Sequence, residues 1–261
     1  MGKNKRNILL KICYDGTNYN GFQRQPVCDT IEQRVLTAIK KITNEEIEKI
    51  EYGARTDAGV HCEENYVNFH TYSSIPTEKI IFALNAFLPY DIRVLKSLEV
   101  DENFNSRYEI IERTYRYNIF TGLIISPFKY KYYLHYPYKI DINKLNEAKN
   151  YLIGKHDFKA FCASDSSAKN TIREIKSIEI KEEKEEIKIY ITGNAFLKQM
   201  IRIIIGTILE INENKKRVTD LKEIIEKKDR NLAGRTESAK GLCLIKCKFK
   251  KEEINRYFEE Q

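Results

Sequence analysis

The sequence predicts an α+β fold made of two halves, each running β-α-β-β-α-β. Three observations predict it. Strand-like alternation and helix-like spacing of apolar residues take turns along the chain. The same order of elements occurs twice. No low-complexity linker or short-period repeat interrupts it. Two such units can join edge to edge into one continuous, mainly antiparallel sheet, with helices on one face and the other face open for a ligand.

Residues 7–14 alternate as a strand, and Tyr14-Asp15-Gly16-Thr17-Asn18 ends it as a loop. Thr30 caps a helix on which Ile31, Val35, Leu36, Ile39 and Ile42 share one face, with Gln33 completing a capping box. Residues 49–54 and 66–72 read as strands flanking a loop over 55–65. Residues 77–88 form a helix that stops before Pro89, and 92–100 a strand. In the second half, 113–120 is a strand and 142–153 a helix closed by Gly154. Residues 172–180 and 186–192 make an antiparallel pair. A strongly apolar helix over 196–211, a shorter one over 218–226 and a strand over 241–249 complete the chain. The junction falls near 107–112, giving halves 1–107 and 108–261.

At 261 residues the chain can bury a sizeable core. A net charge of +7 permits a polyanionic partner without demonstrating one. Part of that charge is mixed, as in the run from Lys181 to Glu186, which reads as a solvated hairpin tip. No segment approaches the apolar length that spans a bilayer. The basic start, Met1 to Asn7, precedes only Ile8-Leu9-Leu10, so no signal peptide is expected. Six cysteines lack any C-x-x-C pair, and Cys243 and Cys247 sit at strand positions rather than as zinc ligands. Reduced thiols in a cytoplasmic protein are the expectation. A Walker-type glycine loop is absent, which excludes that class of phosphate-handling enzyme.

The densest functional candidate is Gly53-Ala54-Arg55-Thr56-Asp57-Ala58-Gly59-Val60-His61. A strand delivers Arg-Thr-Asp onto a turn where glycine permits a positive φ or close approach to a ligand. Asp57 is either a presented carboxylate or the cap of an Asx-turn. His61 lacks a second ligand at metal spacing. Arg202 stands among Ile201, Ile203, Ile204 and Ile205, where an arginine either finds a partner or snorkels to the surface.

Arg55-Thr56-Asp57-Ala58-Gly59-Val60-His61 resembles the signature of the A-type tRNA pseudouridine synthases. Further blocks follow in that family's order: residues 14–25, 85–92, 104–107, 113–117, 156–158, 171–173, 194–202 and 241–244. The resemblance implies the pseudouridine synthase fold and isomerisation of uridine to pseudouridine in the tRNA anticodon stem-loop. It implies no cofactor, no metal and a homodimer acting on RNA. Asp57 matches the family's essential aspartate, Arg202 its basic partner, and Tyr115 the tyrosine that stacks on the target base. Arg55 matches an arginine that extrudes the target nucleotide. Leu242 matches a pocket-lining position, and Tyr19, Phe22 and Arg24 are expected on an RNA-facing loop. Ala54, Glu64-Asn65, Ile203 and Lys240 depart from the family pattern and are expected near the RNA-facing rim. The alternatives are the same reaction on another RNA, such as ribosomal RNA, and a catalytically silent RNA-binding module.

Overall fold

The computed structural model describes residues 4–259; Met1 to Lys3 of the basic start lie outside them. In chain order the elements are β1 (Arg6–Tyr14), α1 (Ile31–Thr43), β2 (Glu51–Tyr52), β3 (His61–Thr71), α2 (Thr77–Phe87), β4 (Ile92–Val100), α3 (Ser106–Glu109) and β5 (Ile110–Phe120). Then come α4 (Pro127–Tyr130), β6 (Leu134–His135), α5 (Ile142–Leu152), β7 (Gly154–Asp157), β8 (Ile172–Glu183) and β9 (Glu186–Gly193). The last are α6 (Met200–Asn212), α7 (Asp220–Lys227), β10 (Leu242–Phe249) and α8 (Glu252–Glu259). The α+β class and the mainly antiparallel pairing predicted from sequence are present. Among the described residues no helix is long and apolar enough to cross a membrane.

The chain divides into two compact units, one running to Ile111 and resuming at Cys243, the other covering Glu112–Leu242. The split expected from sequence kept the C-terminal strand with the second half. Its residues pack instead with the first unit, because Cys243 and Leu244 pair in parallel with His61 and Cys62. Phe249 and Phe258 also meet the Tyr66 ring at 4.6 and 4.9 Å.

In the first unit β1 is central, antiparallel to both β3 and β4. Ile8, Leu9 and Leu10 are all fully buried, so both faces of the strand are covered there. Helix α2 packs beside β4, where the Asn85 carboxamide bonds both the N–H and the C=O of Val94. On the other side α8, which the sequence reading lacks, seats Phe258 on Tyr66. Its Tyr257 hydroxyl donates to the Ser97 carbonyl. Thr30 caps α1 by accepting from the Gln33 amide at 3.4 Å, but Gln33 turns its own side chain to Thr37, so the capping box closes on one side only.

In the second unit β5, β9, β8 and β7 are consecutive antiparallel neighbours, and β6 adds to β5 in parallel. The acidic–basic run does form the β8–β9 hairpin tip, with Lys184 at φ 54°. Helix α6 begins at Met200 rather than 196, since Gln199 stands at φ 61° and the Met200 amide closes a turn onto the Leu197 carbonyl. Ile203, Ile204, Ile205, Ile208 and Leu209 of α6 are buried, as are Leu145, Ala148 and Leu152 of α5.

Candidate active site

The segment carrying Asp57 leaves β2 along β3 and is tied down at each step. The Gly53 amide donates to the Tyr66 carbonyl at 2.9 Å. The buried Thr56 accepts the Phe22 amide on its carbonyl at 3.0 Å, and its hydroxyl lies 2.8 Å from the Tyr14 hydroxyl. Asp57 then opens a turn closed by the bond from the Val60 amide to the Asp57 carbonyl. Gly59, third in that turn, has φ +76°, a value that suits glycine and few other residues. The turn is therefore closed by the main-chain carbonyl of Asp57. Asp57 is half-buried; two residues earlier Arg55 is exposed, with its guanidinium over the Tyr52 ring at 5.5 Å.

The N-terminal motif is the buttress of this turn. Gly16 lies so close to it that a Cβ would stand 2.0 Å from the Val60 carbonyl oxygen, and its amide donates to His61 Nδ1 at 3.1 Å. The same Nδ1 lies 3.1 Å from an Asp15 carboxylate oxygen, so His61 is tied into the fold. Gly21, at φ +89°, would bring a Cβ within 2.9 Å of the Thr56 carbonyl. The Gly59 amide donates to the Tyr19 carbonyl.

These contacts correct the expectation for the loop's aromatics. Phe22 is fully buried, with the Tyr52 and Tyr14 rings at 4.7 and 6.1 Å, and has no face to offer a base. Tyr19 is buried too, and its hydroxyl donates to Asp91 at 2.5 Å. Burial, then the hydrogen bond to Asp91, pushes that hydroxyl's pKa well up, so it stays protonated. The loop needs a core of its own, and the aromatic rings supply it. Arg24 alone of the three is exposed, its amide held by Glu32.

In the second unit Tyr115 is buried on β5, with the Phe196 ring edge-on at 5.3 Å. Leu242 is buried at the start of β10. Arg202 lies half-buried in the first turn of α6, and its Nε donates to the Glu237 carbonyl at 2.7 Å while the Glu237 amide returns a bond to the Arg202 carbonyl. This segment, absent from the sequence reading, is strapped to the helix. A Cβ on Gly206 would come within 1.9 Å of the Arg235 carbonyl oxygen, and one on Gly234 within 2.6 Å of Thr207 Cα. The Gly234 amide donates to the Thr207 hydroxyl at 2.8 Å. The available signal was a lone glycine inside an apolar helix, matched by Gly234 downstream.

Three of the five departures from the family pattern lie in the interior rather than at a rim. Ala54, Asn65 and Ile203 are buried, and Asn65 bonds Ala54 directly. Glu64 pairs with Lys11 at 2.7 Å and accepts the Cys247 amide. Lys240 sits over the Tyr130 ring at 4.5 Å. Substitutions at the three buried positions repack an interior.

The family model for tRNA pseudouridine synthase matches residues 12–109 and 148–250. The chain is 45% identical over 240 residues to the tRNA pseudouridine synthase A of Caldicellulosiruptor bescii, covering 92% of this chain and 98% of that protein. It is 46% identical over 241 residues to the tRNA pseudouridine synthase A of Clostridium kluyveri, with the same coverage. With the Asp57 turn and its buttress in place, and with matches over nearly the whole length, the chain belongs to the tRNA pseudouridine synthase family.

Proposed function

We propose that this protein isomerises uridine to pseudouridine in the anticodon arm of tRNA, with Asp57 as the catalytic carboxylate. The observation that carries the reading is the Asp57 turn: five main-chain and buried side-chain bonds hold the segment around a half-buried carboxylate. Such preorganisation is what a carboxylate needs to act on one bond of a bound base. In the reaction the bond between uracil N1 and ribose C1′ breaks, a bond from C5 to C1′ forms, the C5 proton leaves to solvent and N1 takes one up. The sum is an isomerisation. Arg202 and Tyr115 keep the roles the resemblance assigns, and the exposed Arg55 and Arg24 are offered to RNA, where guanidinium groups can stack or pair with phosphates.

The similarity to tRNA pseudouridine synthases supports tRNA over another RNA, and the three buried departures do not bear on that choice, because residues in the interior do not select the surrounding fold of a substrate. A homodimeric state and a cytoplasmic location belong to the same proposal. The test is tritium release from uridine labelled at C5, comparing tRNA transcripts with ribosomal RNA fragments at matched salt. Release from tRNA, lost when the anticodon-arm uridines are replaced, is the expected result. Release confined to ribosomal RNA would overturn the tRNA assignment.

A further inference from the structure

We propose that Asn65 is a positioning residue that sets the Asp57 turn; this rests on reading Asp57 as the catalytic carboxylate. The inference starts from where the β2–β3 ladder ends. Glu51 opposes Asn68 and Tyr52 opposes Val67. The Gly53 amide, one residue past the end of β2, then bonds the Tyr66 carbonyl. The next residue, Ala54, faces Asn65, whose position on β3 pairs with Ile12 of β1 on the strand's other edge. At Ala54 a side chain takes over. Asn65 Oδ1 accepts the Ala54 amide at 3.1 Å, and Asn65 Nδ2 donates to the Ala54 carbonyl at 3.0 Å. The same Oδ1 accepts the Tyr66 amide at 2.9 Å. Asn65 is fully buried, so water cannot replace these bonds.

The carboxamide thus acts as one more rung of the sheet, three residues before Asp57. Fixing the residue from which the Arg55-Thr56-Asp57 segment departs fixes where the carboxylate can stand. The same bidentate clamp recurs at the end of β10, where Asn255 closes on both main-chain groups of Phe249. That site supplies an internal control. Removing either clamp exposes a similar pair of orphaned groups, but only the clamp at Ala54 leads to Asp57.

The experiment compares Asn65→Ala and Asn255→Ala in the full-length protein by steady-state tritium release and by amide hydrogen exchange. For Asn65→Ala we expect kcat to fall by at least about tenfold with KM for tRNA held within about threefold. Exchange should quicken by at least about tenfold at Ala54 and through residues 55–59. Asn255→Ala, at comparable loss of melting temperature, should keep kcat and leave those amides protected. If Asn65→Ala does not fold, Asn65→Ser keeps a small polar side chain that cannot bond both Ala54 groups at once, and the same signs are expected. Equal kcat losses in the two variants, tracking stability alone, would overturn the proposal, as would unchanged exchange at residues 54–59. A wild-type protein that releases no tritium from tRNA would end the functional reading, while the exchange comparison still decides whether Asn65 sets the turn.

Discussion

Replacing Gly206 by alanine sets two opposed effects against each other. Alanine is the better helix former by about 1 kcal/mol in a helix interior. Against that, the new methyl would sit 1.9 Å from the Arg235 carbonyl oxygen, whereas an ordinary contact needs roughly 3.5 Å. The obstacle is backbone, so the whole segment over residues 233–238 must retreat from α6. Overpacking of this kind costs about 1–3 kcal/mol. Retreat also strains the bond from the Gly234 amide to Thr207 and the two bonds between Arg202 and Glu237, each worth about 1 kcal/mol. The clash wins, and the net loss is about 2–4 kcal/mol. Urea unfolding followed by circular dichroism should show a midpoint lowered by about 1 M. Tritium release should fall as well under conditions where the variant is folded, because the bonds that hold Arg202 are the ones displaced. A midpoint equal to or above that of the wild type would refute the reasoning, since it would mean that helix propensity outweighs the contact.

Three further outcomes are expected. Asp57→Asn should abolish tritium release while leaving tRNA affinity within about tenfold, or roughly 1.4 kcal/mol, since the amide keeps the shape and loses the nucleophile. Tyr14→Phe should lower stability by about 1–2 kcal/mol in urea unfolding, because it takes the 2.8 Å partner from a buried Thr56 hydroxyl; an unaltered midpoint would show that this bond contributes nothing. The third outcome concerns acid. Bonds from Arg235 and then Lys215 hold the Glu213 carboxyl down at about 2, below its ordinary 4.5. A depressed folded value means the contribution is complete above about 4.5 and is lost as pH falls through about 2. Urea midpoints measured across that window should therefore drop more steeply for the wild type than for Glu213→Gln.

Much of this molecule was legible in the order of its residues. Apolar periodicity located the principal strands and helices, because a side chain's neighbours along one element are set by a period of two or 3.6 residues. The Asp57 turn was legible for a related reason: glycine at position 59 is a local demand of a positive φ. Other features depend on partners far along the chain. The run His61-Cys62-Glu63-Glu64-Asn65 is too polar to read as a strand, yet β3 begins there. It does so because Lys11 and the Cys247 amide satisfy Glu64 and because Asn65 spends its side chain on Ala54. Helix α8 hid in a charged run, since only contact with Tyr66 makes a core residue of Phe258. Motif alone placed Tyr19 and Phe22 toward RNA, whereas the fold uses them as the small core behind the Asp57 turn. Sequence by itself determined the principal strands and helices, because these follow from local periodicity, and the resemblance of its motifs singled out Asp57. Only the tertiary structure decided what holds that carboxylate still, since hydrogen bonds such as Tyr14 to Thr56 and Asn65 to Ala54 join residues that no local pattern relates.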